Sequence, residues 1–314
     1  MSLSFSALGL PDAIVDVLAR NDIDSPFPIQ AEAIPAVLEG RDVAGRAPTG
    51  SGKTLAFGLP ILATVPVAKS KRPTALILSP TRELAGQIRK DLAPYAKATG
   101  RQAFAVYGGV RYQAQFDWLN RGVDVLVATP GRLEDLIEQG AVDLSDVQIV
   151  AVDEADRMAD MGFLPSVKKL LDRTSPNRQT LLFSATLDGD VKVLVKRYQN
   201  DPVTVEAGSV ETDALDAEHI FWSVDQNERV ERTAEIIDAT GNSIVFTKTR
   251  HGADRVARQL AKADIKAIAL HGGRSQNQRN RALAQFKNGD VDALVATDVA
   301  ARGIHVDGVS SVVH

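Results

Sequence analysis

Val147-Gln148-Ile149-Val150-Ala151-Val152-Asp153-Glu154-Ala155-Asp156 passes from an apolar run directly into three carboxylates. Short apolar runs of this kind read as strands buried in a parallel sheet, and acidic groups released at a strand's carboxyl end lie where open α/β sheets hold ligands. About a hundred residues upstream, Ala47-Pro48-Thr49-Gly50-Ser51-Gly52-Lys53-Thr54 follows the short stretch Asp42-Val43-Ala44 and precedes the helix-like Leu55-Ala56-Phe57. Gly50 and Gly52 allow successive backbone N–H groups to face phosphate oxygens, and the following helix N-terminus adds positive potential. Lys53 then reaches the β- and γ-phosphates, and the Thr54 hydroxyl binds Mg²⁺. The general pattern has glycine where Ala47 stands. Asp153 is the second Mg²⁺ residue, acting through water, and Glu154 orients or deprotonates the attacking water. Taken singly, the loop also reads as a Gly/Ser turn capping a helix and the tetrad as an acidic helix start. Together they point to a nucleoside-triphosphate site.

At 314 residues with 44% hydrophobic content, the chain suits two α/β domains of about 150 residues. No apolar run approaches the ~18 residues of a membrane span, and Met1-Ser2-Leu3-Ser4 lacks a charged leader followed by an apolar block. The expectation is a soluble cytoplasmic protein. The absence of cysteine excludes disulfides, thiolate zinc sites and thiol nucleophiles, and the five histidines are scattered without ligand-like spacing. Any metal is therefore a hard, oxygen-bound ion such as Mg²⁺. A net charge of −4 argues mildly against a nucleic-acid partner, although it leaves room for a local cationic track.

Ala75-Leu76-Ile77-Leu78 precedes a helical stretch from about Arg82, and Asp124-Val125-Leu126-Val127 precedes one from about Arg132. Such alternation predicts βαβ units around mainly parallel sheets. The apolar pattern lapses around Ala207–Ala214 and resumes at Ile220-Phe221-Trp222, so the expected division is a domain over 1–207, a linker over 208–217 and a second domain over 218–314. The halves also echo one another. Thr81 and Thr129 lie 48 residues apart in the first, as do Thr249 and Thr297 in the second, so both pairs are offset by 168. That repetition predicts duplication of one fold.

Read in order, these segments resemble the DEAD-box family of RNA helicases within helicase superfamily 2, over nearly the whole chain. The resemblance implies two tandem RecA-like domains that use ATP and Mg²⁺. Pro26-Phe27-Pro28-Ile29-Gln30 is similar to the family's Q motif, where Gln30 reads adenine and Phe5 is the isolated upstream aromatic. Asp22 and Ile23 replace the family's usual Gly and aromatic. Pro80-Thr81-Arg82, Gly108-Gly109 and Thr129-Pro130-Gly131-Arg132 resemble motifs that grip one RNA strand by its backbone, which gives affinity without reading sequence. Ser184-Ala185-Thr186 resembles the motif whose hydroxyls bond Asp156 and couple nucleotide state to domain arrangement; read locally, Ser184 and Thr186 cap a helix beginning near Asp188. In the second half, Arg250, Gln276, Arg279 and Thr297 match positions along the RNA path, while Asp298, Arg302 and Gly303 match those coupling RNA to nucleotide. His305 stands where the family commonly has Asp.

The resemblance also implies a further arginine-bearing motif that the family places beyond the strand-like Val309–His314. Arginine fingers are worth about 10³ to 10⁵ in rate, so the sequence reading expects an incomplete second domain, an exposed sheet edge and impaired hydrolysis. Two functions follow, an ATP-dependent RNA helicase that separates short duplexes locally or a nucleotide-dependent RNA clamp, while a DNA-translocating ATPase of the same superfamily is disfavoured by the Q-like motif and Ser184-Ala185-Thr186. Both imply sequence-independent RNA binding, no membrane, and accessory proteins that the sequence does not identify.

Overall fold

The computed structural model describes residues 4–48, 50–207, 218–301, 306 and 308–314. Two compact units divide the chain, the first ending at Ala217 and the second beginning at Glu218. The expected linker over 208–217 lies outside the described residues, as do Thr49, Arg302, Gly303 and His305.

In the first unit a short 3₁₀ turn, Ser6–Leu8, leads into α1 (Asp12–Arg20), α2 (Pro28–Leu38), β1 (Val43–Arg46) and α3 (Lys53–Thr64). Then follow β2 (Ala75–Leu78), α4 (Arg82–Ala98), β3 (Ala103–Val106), α5 (Tyr112–Arg121), β4 (Val125–Ala128) and α6 (Pro130–Glu138). The unit closes with β5 (Ile149–Asp153), α7 (Ala155–Asp160), α8 (Leu164–Leu171), β6 (Gln179–Ser184), α9 (Gly189–Tyr198) and β7 (Val203–Glu206). The seven strands are all parallel, in the order β3-β4-β2-β5-β6-β1-β7.

Both faces of this sheet are covered, which is why its central strands read as continuous apolar runs rather than alternating ones. Alternate residues point to opposite faces. Ile77, Val127, Ala151 and Phe183 join one core with α1 to α4, while Leu76, Leu126, Val150 and Leu182 join another with α5 to α9. The register sets Asp153 opposite Phe183 and Arg46 opposite Ser184, so β1, β5 and β6 end together. Their three following loops consequently share one edge.

The second unit contains α10 (Arg229–Thr240), β8 (Ser243–Phe246), α11 (Arg250–Lys262), β9 (Ala267–Leu270), α12 (Gln276–Lys287), β10 (Ala293–Ala296), α13 (Asp298–Ala301) and β11 (Ser311–Val313). Its parallel sheet runs β11-β8-β10-β9, with Val245 and Val295 facing α10 and α11 and Leu294 and Ala296 facing α12. Ile220-Phe221-Trp222, where the apolar pattern resumes, lies outside the sheet. This segment pairs with no strand among the described residues and remains exposed, Phe221 at 91%. Its apolar composition alone does not supply the hydrogen-bonding neighbour that a strand requires.

Candidate nucleotide site and nucleic-acid interface

The loop after β1 turns on two glycines in left-handed backbone, Gly50 at φ +86° and Gly52 at φ +84°. A Cβ on Gly52 would lie 2.5 Å from Gln30 Nε2 and 2.8 Å from Phe27 Cδ2, so the cradle closes only without a side chain there. Gly52 is also the N-cap of α3 and offers no side-chain cap, leaving the helix's first N–H groups for an anion. Ser51 Oγ donates to the Pro48 carbonyl at 2.8 Å. Thr54, in the first turn of α3, is half-buried.

Lys53 is buried, with its ammonium donating to the carbonyls of Ala47 at 2.7 Å and Pro48 at 2.8 Å. Burial lowers its pKa, while Asp153, Glu154 and Asp156 pull in the opposite direction. The Asp153 carboxyl is pushed up to about 7, first by burial and then by Glu154, against the attraction of Lys53. Glu154 takes φ +53°, a costly backbone for a residue with a Cβ, and Arg157 Nη1 holds both of its carboxylate oxygens at 2.8 and 3.0 Å. Two carboxylates and an ammonium thus share one poorly solvated corner. Such strain and desolvation concentrate at functional sites.

Ser184 at the end of β6 closes the site, its hydroxyl meeting Asp156 at the backbone N–H, from which it accepts at 3.2 Å. The Asp156 carboxylate accepts from the Ala185 N–H at 3.2 Å. Thr186 forms no side-chain hydrogen bond among the described residues, and neither hydroxyl caps α9, whose N-cap is Asp188. The Ala47 N–H donates to the Ser184 carbonyl at 3.0 Å, which ties the phosphate loop to the same strand end.

Gln30 is 1% exposed, and its amide is already engaged: Oε1 accepts from the Phe27 N–H at 2.9 Å, and Nε2 donates to the Gly52 carbonyl at 3.0 Å. One N–H and one lone pair remain for a base edge. Phe5 packs instead in the hydrophobic core, 3% exposed, so its ring is not offered to a ligand. Sequence reasoning passed over Phe27, whose ring stands at the loop 55% exposed. Its replacement of a small polar residue just before a helix was the available signal.

In the first unit's other motifs, Pro80 is buried, and Thr81 caps α4 by accepting from the Leu84 N–H at 3.2 Å. Arg82 lies across Gly108 and Gly109; a Cβ on Gly109 would fall 2.2 Å from its Nη1. Thr129 is the N-cap of α6, Pro130 is buried and Gly131 is exposed. Arg132 is not presented as an open cation. Its side chain is 9% exposed, with the guanidinium 4.1 Å from the Tyr112 ring centroid and 3.6 Å from Asp135. The Tyr112 hydroxyl donates to Asp135, a bond that raises the tyrosine pKa and lowers the aspartate's.

The second unit repeats the first unit's arrangement. Thr249 caps α11 by accepting from the Gly252 N–H at 2.9 Å, and exposed Arg250 lies against Gly272 and Gly273 as Arg82 does against Gly108 and Gly109. The sequence reading missed this second pair because it stands 164 residues after the first, not 168. Asp254 holds the neighbouring loop, 2.6 Å from Arg274 Nη2 and 3.1 Å from His271 Nε2. Gln276, Arg279 and Thr297 are buried, while Asp298 is exposed at the start of α13.

The fold is that of two tandem RecA-like α/β units, with a glycine-turned loop between β1 and α3 in the first. The chain belongs to the DEAD-box helicase family: the pattern described as DEAD/DEAH box helicase matches residues 27–194, and that of the helicase conserved C-terminal domain matches residues 225–314. It is 40% identical to the chloroplastic DEAD-box ATP-dependent RNA helicase 3B of Zea mays and 41% identical to the mitochondrial DEAD-box ATP-dependent RNA helicase 9 of Arabidopsis thaliana. Each match covers 99% of this chain but 43% and 52% of those relatives, so the chain spans about half the length of the curated relatives it matches. Among solved structures, a DEAD box protein from Methanococcus jannaschii aligns with TM-score 0.62 at 32% identity, covering 98% of this chain and 84% of that one. The Saccharomyces cerevisiae Dbp5 bound to Gle1 and IP6 aligns with TM-score 0.75 at 28% identity, covering 99% and 79%. No helix among the described residues is long and apolar enough to cross a membrane.

Proposed function

We propose that the chain forms the core of an ATP-dependent RNA helicase, coupling ATP binding and hydrolysis to sequence-independent RNA binding and local duplex separation. The observation that carries this reading is the hydrogen-bonded connection within the first unit from the phosphate loop through Ser184 to Asp156. It links nucleotide residues to the acidic tetrad without an intervening element.

In this reading the uncapped start of α3 and the Thr49–Gly52 backbone receive phosphate oxygens, and Lys53 exchanges two carbonyls for them. Gln30 reads the adenine edge with its remaining donor and acceptor. The donor set fits Mg²⁺: the Asp153 carboxylate feels Lys53 but forms no ion pair with it among the described residues, and Thr54 offers a hydroxyl on the first turn of α3. Such an ion keeps phosphate oxygens and water among its ligands, so Asp153 and Thr54 would be the only side chains this chain needs to supply. When bound, the ion neutralises phosphate charge. Glu154, steadied by Arg157, accepts the proton of the attacking water.

RNA is held by the starts of α4, α6, α11, α12 and α13 and by the loop after β3, through Thr81, Arg82, Gly108, Gly109 and Thr129 in one unit and Arg250, Gln276, Arg279 and Thr297 in the other. Contacts of this backbone type make affinity largely independent of sequence and sensitive to salt. A cytoplasmic location belongs to the same proposal, and cell fractionation tests it.

The deciding experiment measures phosphate release and strand separation of a short RNA duplex, with Lys53→Ala as the nucleotide-binding control. RNA-stimulated hydrolysis that Lys53→Ala abolishes supports the helicase. ATP-dependent RNA retention without phosphate release assigns the clamp function instead. Equal affinity for DNA and RNA in the presence of ATP overturns the choice of RNA.

A further inference from the structure

We infer that the open edge of β9 is a docking groove for an acidic, extended segment of a partner protein, which adds to the second unit's sheet as a further strand.

β9 ends the strand order, with β10 as its only neighbour among the described residues. The carbonyls of Lys266 and Leu270 accept from β10 and the residue after it, so the even-numbered residues of β9 face inward. Ala267 and Ala269 therefore turn their N–H and C=O groups outward, and no backbone hydrogen bond leaves that edge among the described residues. A groove of about 450 Å³ runs beside it. Its lining includes Ala267, Ile268 and Ala269. Consecutive strand residues point to opposite faces, so a groove touched by all three follows the strand's edge rather than either face. The opposite wall is the stripe Ala257, Arg258 and Ala261 of α11. The alanines leave room for an incoming side chain, and the outward N–H and C=O groups match the two-residue repeat of another peptide backbone.

Charge selects the occupant. Arg250, Arg255, Arg258 and Lys262 on α11, with Lys266 ahead of β9, are all exposed and outnumber Asp254 and Asp264, the acidic residues of the same stretch. Asp254 is already shared by Arg274 and His271. An acidic strand is therefore attracted and a basic one repelled. The lining contains no aromatic platform of the kind that holds single-stranded bases, which favours a peptide over RNA. In the first unit the equivalent edge strand carries Phe104, stacked on Trp118 at 5.1 Å, where β9 has Ile268.

The test uses the full chain and a fluorescein-labelled nine-residue peptide alternating valine with aspartate around a central leucine. Anisotropy measures affinity, and hydrogen exchange follows the Ala267 and Ala269 amides. Binding should slow exchange at both amides. Arg258→Glu and Ala261→Glu, which change exposed helix positions, should each weaken the peptide at least tenfold while leaving thermal unfolding and RNA affinity unchanged. A peptide with lysine in place of aspartate should fail to bind. The inference is overturned by no binding at millimolar peptide, by binding without protection of β9, or by variants that bind as the parent does. Displacement of the peptide by a uridine decamer, with Arg258→Glu weakening both ligands equally, would reassign the surface to RNA.

Discussion

Asp153→Asn should stabilise the nucleotide-free protein. The carboxyl is pushed from its ordinary 3.8 up to about 7 by burial and by Glu154. At ~1.4 kcal/mol for each tenfold change, ionising it costs ~4 kcal/mol more in the folded than in the unfolded chain. Because the folded pKa lies above the unfolded one, stability is whole below about pH 4 and is lost as pH rises from 3.8 through about 7. Asparagine removes that charge and keeps an oxygen to accept the Glu154 N–H, now 3.0 Å from Asp153 Oδ1. Relaxation around the corner reduces the expected gain to ~2 kcal/mol, or ~4 to 8 °C in the melting temperature of a unit this size. Thermal unfolding of parent and variant in chelator at pH 7.5 and pH 4.5 measures it. About a quarter of the gain should survive at the lower pH. A variant less stable than the parent at pH 7.5, or a gain that ignores pH, would refute the reasoning.

Three further substitutions test other contacts. Ser184→Ala leaves the Asp156 N–H without its acceptor and should cost ~1 kcal/mol in urea unfolding, with a larger loss in RNA stimulation of phosphate release than in nucleotide affinity; equal losses in both would dismiss the coupling role. Phe27→Ala should weaken adenine nucleotides about tenfold in equilibrium titration and inorganic triphosphate hardly at all, because stacking acts on the base; parallel weakening would show that the ring only supports the loop. Asp254→Ala frees both Arg274 and His271, and RNA affinity should fall severalfold while Asp254→Asn recovers part of it. Unchanged RNA binding in the alanine variant would remove Asp254 from any positioning role.

Much of the site was legible in one dimension. The phosphate loop, the tetrad and the helix starts at Thr81 and Thr249 depend on neighbours within a few residues; the helix from about Arg82 is predicted directly, and Thr249 is marked by its echo of Thr81. Contacts made across the fold were not legible. Phe5 and Phe27 are both aromatics near one motif, yet one is in the core and the other is exposed at the loop. Arg132 looks like an available cation in sequence, but Tyr112, twenty residues earlier, covers it. The second glycine pair escaped notice because the two units' loops differ in length, and a constant offset cannot follow an insertion.

By itself the sequence determined the α/β class and the strand-then-helix setting of its motifs, since apolar periodicity and local backbone demands are written in consecutive residues. The tertiary structure decided which motifs meet. β1 lies between β6 and β7, and β6 also adjoins β5, so Lys53, Asp153 and Ser184 come to one sheet end although 131 residues separate the first from the last. Strand order is set by packing both sheet faces against helices, and no local spacing encodes that balance.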